Sequence, residues 1–252
     1  MKQRKNKISA ISSIHYVKLV YRTLLLAAAA AIYIYNRVEN RGVISFSLNK
    51  QFLVLAAVWV VYAVEMVLRF FPAKLESMGC QKQFARNYRP TGRTEPNLTS
   101  PKRVWLVTGV WLALNGAIGA LYLTDVIDRD ILVLVSLAYG VCDIICILFF
   151  CPFQAWFMKN RCCTVCRIYN WDFAMMFTPY VFIPSPYTWS LLAMSLALLV
   201  RWEITVFRHP ERFSDNTNAC VSCAECKEKL CHHKKHLKGF IKRNRSRLFP
   251  PK

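Results

Sequence analysis

At 252 residues the chain is long enough for one soluble domain or for a set of membrane spans, and the placement of its charge decides between them. The formal net charge of +20 lies between and beyond apolar runs of near-bilayer length, without a helix-turn-helix, RNA-binding or zinc-finger pattern, so no nucleic-acid partner is expected. Walker, Gly-x-Gly-x-x-Gly, His-Glu-x-x-His and Gly-x-Ser-x-Gly patterns are also missing, which leaves nucleotide-binding, kinase and hydrolase readings without residues.

The chain opens with Lys2, Arg4, Lys5 and Lys7, followed by an apolar run over Val17–Tyr35 in which Lys18 and Arg22 are close enough to the start to snorkel. A signal peptide is the competing reading; the run is long for a signal h-region and is read as an uncleaved span. A second span is predicted over Phe52–Phe71, with Glu65 and Arg69 on one helical face as an interfacial ion pair. The loop Pro72–Arg103 is long and basic, and its Tyr88–Pro96 part is turn-rich and irregular. A third span covers Val104–Leu123, where Gly109, Gly116, Gly119 and Ala120 admit a neighbouring helix. The connector Thr124–Asp130 is acidic, and a fourth span over Ile131–Phe150 delivers the chain to a connector at 151–172.

Beyond Asp172 the apolar stretch Phe173–Ile183 is only half a span, and Pro184 and Pro186 interrupt it. The last span is Tyr187–Phe207, and a strongly basic tail follows. Basic loops are retained on the cytoplasmic side, so the short stretch is expected to cross and return the tail to the inside. The expected fold is all-α: a polytopic bundle of six transmembrane helices in a cell membrane. Its fifth helix is short, with re-entry as the alternative, and both termini are cytoplasmic. The membrane domain covers 1–207 and a Cys/His tail covers 208–252.

This topology puts every cysteine at or near the cytoplasmic face: Cys80, Cys142, Cys146, Cys151, Cys162, Cys163, Cys166, Cys220, Cys223, Cys226 and Cys231. Reduced, clustered thiols there point to metal ligation or redox chemistry rather than structural disulfides. The expected ligands are Cys151, Cys162, Cys163 and Cys166 with Cys220, Cys223, Cys226 and Cys231; Cys80, Asp143, His232 and His233 are further candidates. Alternatively the Cys163-Thr-Val-Cys166 pair cycles between dithiol and disulfide, with Lys159, Arg161 and Arg167 favouring a thiolate. Cys142 and Cys146 read as small packing residues. Asp143, an acid inside a span, is a functional candidate with Arg167, Lys159 or a metal as partner. Trp171 and Tyr169 would anchor the connector at headgroup level, and Lys234–Lys252 suits anionic lipids.

The tail run Cys220-Val-Ser-Cys223-Ala-Glu-Cys226-Lys-Glu-Lys-Leu-Cys231-His232 resembles the ligand run of bacterial ferredoxins, which implies an iron–sulfur cluster. It has four residues rather than three before the last cysteine and histidine where the family has proline, so zinc stays open. The Cys151-Pro152 step resembles an element of membrane-bound ferredoxin-type quinol dehydrogenase subunits, whose fuller cysteine spacings are missing. Ser77-Met-Gly-Cys80, Cys151-Pro-Phe-Gln154, Met158–Asp172 and Met175–Pro179 together resemble a group of bacterial multi-pass membrane proteins with no assigned activity. The expected function is a cytoplasmic-face thiolate site binding an iron–sulfur cluster or zinc for electron transfer or redox sensing, with a redox protein as partner. A non-enzymatic scaffold with a zinc clasp and a small-solute transporter using Asp143 and Glu65 are the alternatives.

Overall fold

The chain's computed structural model describes residues 10–38, 51–72, 78–160 and 162–222. The predicted ligands Cys223, Cys226, Cys231, His232 and His233 lie outside the described residues, as does the basic end of the tail. The helices are α1 (Ala10–Val38), α2 (Gln51–Leu68), a short α3 (Met78–Gln83), α4 (Pro101–Leu123), α5 (Arg129–Leu148), a short α6 (Asp172–Phe177) and α7 (Pro186–Arg208). No strand pairs occur among the described residues beyond one isolated bridge, Pro90 with Asn218. Four stretches are long and apolar enough to cross a membrane: Ser13–Tyr35 in α1, then α4, α5 and α7. Within α2 the stretch Val58–Leu68 is apolar but shorter.

Local chemistry sets the ends. α4 and α7 each start on a proline, whose missing N–H is harmless in a first turn. α5 starts after Asp128 with Asp130 in its first turn, where negative charge suits the positive helix end. It stops at Leu148, because Pro152 cannot continue it.

α5 is the axis of the bundle. It packs antiparallel along α1, with Arg37–Asp128 (3.3 Å) at one end and Tyr16 against Phe149 at the other. α2 and α7 run parallel: Trp59 donates to Ser190 (2.8 Å), and further along Arg201 donates to the Arg69 carbonyl (3.1 Å). Between them lies the stretch predicted as half a span. It is α6 followed by a 3₁₀ segment, Thr178–Phe182, and it buries Phe173, Met176, Phe177 and Tyr180. Pro179 has no N–H for the Met175 carbonyl, and the Thr178 N–H takes that place, so the helix tightens. The segment runs from Asp172, beside Arg69, to Phe182, which meets α4 at Gly119. Its 3₁₀ rise stretches few residues over about 20 Å. Protein covers most of this non-α backbone, with Val181 the exposed member.

Three connectors close one end of the bundle as a cap. The Ala219 N–H donates to the Arg89 carbonyl (2.8 Å) and the Thr91 N–H to the Thr217 carbonyl (3.2 Å). Gln83 donates to the Thr164 carbonyl (3.0 Å) and accepts from Asn170 (2.8 Å), while Asn160 joins Thr99 (3.0 Å). Tyr88–Pro96 is irregular, as predicted, yet pinned: the Arg89 N–H donates to the Asn218 side chain (3.4 Å) and the Arg93 guanidinium to the Asn216 side chain (3.0 Å).

Candidate functional site: a sulfur-lined cavity beside a buried ion network

Arg22 does not snorkel. It is 2 % exposed and donates to Glu65 (2.8 Å), Asp143 (3.4 Å) and the Gly140 carbonyl (2.9 Å). Lys18 also pairs with Glu65 (3.3 Å), and the Tyr21 hydroxyl donates to it. The predicted Glu65–Arg69 pair is therefore replaced: Glu65 turns to α1, and Arg69 pairs with Asp172 at 2.6 Å. Helical spacing made the local pair available, but α1 brings a guanidinium with its full donor fork to Glu65. Asp143 likewise has neither predicted partner. Its partner is Arg22, while Arg167 pairs with Glu203, which also accepts from Trp171 (2.8 Å). Gly140 makes this convergence possible, because a Cβ there would stand 2.8 Å from the Met176 sulfur.

Toward the cap, the network borders a cavity of about 130 Å³. Its wall holds Cys142, Cys146, Cys151, Cys163 and Cys166, with Asp143 and Asp172 among the polar groups and Trp111 and Tyr139 among the apolar ones. Five of the described thiols thus line one cavity. Cys146 sits in the last turn of α5 and hydrogen-bonds to Cys151. Cys151 lies just before a π-helical turn, Phe153–Met158, and its sulfur accepts the Gln154 N–H at 3.3 Å. A backbone amide and a thiol are thus both directed at the Cys151 sulfur. The turn ends at Lys159, whose φ of 52° reverses the chain into the Cys162–Cys166 segment. Cys163 donates to the Gln154 side chain (3.0 Å), which in turn donates to the Asn160 carbonyl (3.0 Å).

The remaining thiols divide by position. Cys166 is not an activated member of a Cys-x-x-Cys pair. Burial, with lesser pushes from Cys151 and Cys163, drives its pKa up to about 12, against the Ile168 amide and Asn160. Its expected activator Arg167 is engaged by Glu203, and Arg161 lies outside the described residues. Cys162 is buried and donates to Thr164 (3.5 Å) away from the cavity wall. Cys80 is fully buried, with its thiol on the Arg69 carbonyl at 3.9 Å. Cys220 belongs to the cap, its N–H on the Asn218 side chain (3.1 Å). No disulfide joins the described cysteines. Among the described residues no three His, Cys, Asp or Glu side chains are grouped to hold a metal ion. Cys142 and Cys146, read from sequence as packing residues, belong to the wall. Their spacing, four apart on the helix and ending five before Cys151, was the available signal.

The chain matches no protein-family model, no curated protein and no solved structure.

Proposed function

We propose that this chain is a membrane thiol–disulfide redox protein, with Cys151 as the attacking sulfur and Cys146 as its partner. The observation that supports it is the Cys146–Cys151 hydrogen bond at the wall of a cavity shared with three further thiols. In the oxidising direction the two thiols lose two protons and two electrons to a two-electron acceptor, and one S–S bond forms. Transient catalytic or sensing disulfides are the kind expected where the cytosol keeps other thiols reduced. The attack runs through the thiolate, and the Gln154 amide and the Cys146 thiol are both directed at the Cys151 sulfur.

The reading includes a topology. The chain crosses six times, with α2 and the α6–3₁₀ segment as the inner crossings, and the cap faces the cytoplasm. Lys82, Arg86, Arg89, Arg93, Lys102 and Arg103 lie on the cap side, whereas Asp125, Asp128 and Asp130 lie at the other end. This is the bias that fixes orientation. Reporter fusions after Asp125 and after Asn218 test it, and a cytoplasmic signal at Asp125 would reverse it.

Differential alkylation and peptide mass spectrometry of the purified protein, before and after diamide, test the chemistry. The expected product is a Cys146–Cys151 disulfide, reversed by dithiothreitol and lost in Cys151→Ser. Diamide-treated protein without that linkage would sink the assignment. Stoichiometric zinc or iron in the same preparation, lost with the same substitution, would return the site to the metal chemistry that its sulfurs also suit.

A further inference from the structure

The cavity wall is not sealed on the bilayer side. Cys142 is exposed and lies inside α5, a helix apolar enough to span, so in the six-crossing reading above it faces lipid. α4 packs on the π-helical turn and on the 3₁₀ segment rather than along α5. The Trp111 and Tyr139 rings, in contact with centroids 4.7 Å apart, bridge α4 and α5 along one edge of the cavity, and exposed Cys142 stands one helical turn further toward the cap. Trp111 also meets Phe153 (6.2 Å), so the edge of the cavity beside Cys142 is aromatic.

We infer that a lipid-dissolved quinone enters between α4 and α5, beside Cys142, and exchanges electrons with the Cys146–Cys151 pair. This rests on the thiol-redox reading above. Size, access and polarity support it. A cavity of about 130 Å³ is close to the roughly 150 Å³ that takes up a benzene-sized ring, and an open mouth leaves ring substituents and tail in the lipid. Aromatic side chains at the mouth stack on a flat ring, and a mostly apolar wall with few polar groups suits a small ligand. The ligand arrives from the membrane, so no water-filled channel is needed.

The chemistry balances. The Cys151 thiolate adds to a ring carbon, forming a C–S bond. The Cys146 sulfur then attacks the Cys151 sulfur; the S–S bond forms, the C–S bond breaks, and its electron pair stays on the ring. The two thiol protons end on the two quinol oxygens. Asp143 and Gln154, both in the wall, are placed to pass protons or to hold a quinone oxygen.

The test uses the full chain, reduced and reconstituted in nanodiscs, mixed anaerobically with decylubiquinone. Expected are equimolar quinol and Cys146–Cys151 disulfide, both lost in Cys151→Ser. Cys142→Trp, which fills the mouth, should slow the quinone reaction about tenfold more than it slows oxidation by diamide. A wild-type pair that diamide oxidises and dithiothreitol reduces, but decylubiquinone leaves untouched, overturns this inference and leaves the thiol-redox reading standing. Equal slowing of both oxidants in Cys142→Trp overturns the lateral entrance. A pair that neither oxidant joins removes the thiol-redox reading itself.

Discussion

A guanidinium that is 2 % exposed must have its charge met on the spot, and Arg22 meets Glu65 and Asp143 at once. Removing it leaves a carboxylate of α5 in the bundle without its cation. Arg22→Met should therefore destabilise the protein by about 3–5 kcal/mol, and Arg22→Lys should recover only part, because an ammonium lacks the fork. Thermal melting in one detergent measures both; wild-type melting in Arg22→Met would show the network to be dispensable. The Cys166 thiol gives a pH signature. Its folded pKa of about 12 lies above the ordinary 9.0, so the folded chain holds the proton more tightly. That contribution is complete below pH 9.0 and is lost as pH rises toward about 12. Alkylation of Cys166 in the native protein should stay negligible at pH 9 and rise only above it, while urea-unfolded protein reacts at pH 9. Residue types pointed to charged and sulfur-bearing candidates correctly, but not to their partners. Arg22 and Glu65 are 43 positions apart, and no local spacing rule reaches that far.

Hydropathy makes the long helices legible: α4, α5 and α7 fall within three residues of the apolar runs predicted at Val104–Leu123, Ile131–Phe150 and Tyr187–Phe207. The short stretch was harder, since its conformation follows from Pro179 and from burial by several neighbours rather than from period. Glycine pattern was informative in part. A Cβ on Gly119 would fall 2.1 Å from the Phe182 ring, whereas Gly109 and Gly116 have nothing within 4 Å. Gly119→Ala should thus cost about 1–3 kcal/mol by forcing the 3₁₀ segment off α4. Gly109→Ala should be neutral or slightly stabilising through helix propensity. Urea or detergent unfolding of the two variants side by side checks this, and equal midpoints would mean that Phe182 simply turns aside.

At the scale of the molecule, the bundle is finished by a polar lid that no hydropathy plot displays. Gln83, Asn160, Thr164, Asn170 and Asn218 read individually as ordinary loop residues. Only the folded positions of three distant connectors bring Gln83 to Thr164 and Asn170, Asn160 to Thr99, and Asn218 to Lys82. Asn218 is the densest of these junctions, donating to two carbonyls and accepting the Arg89 and Cys220 amides (3.4 and 3.1 Å). Asn218→Ala should cost about 1–3 kcal/mol by leaving these groups without a partner. Limited trypsin digestion should then cut faster at Arg86 and Arg93, and an unchanged digestion pattern would show that the lid holds without Asn218.

The Pro90–Asn218 bridge also fixes an order of events during synthesis. Asn218 leaves the ribosome after every long helix of the bundle has been translated, so the junction that ties Lys82 and Arg89 to Arg212 is the last part of the fold to close.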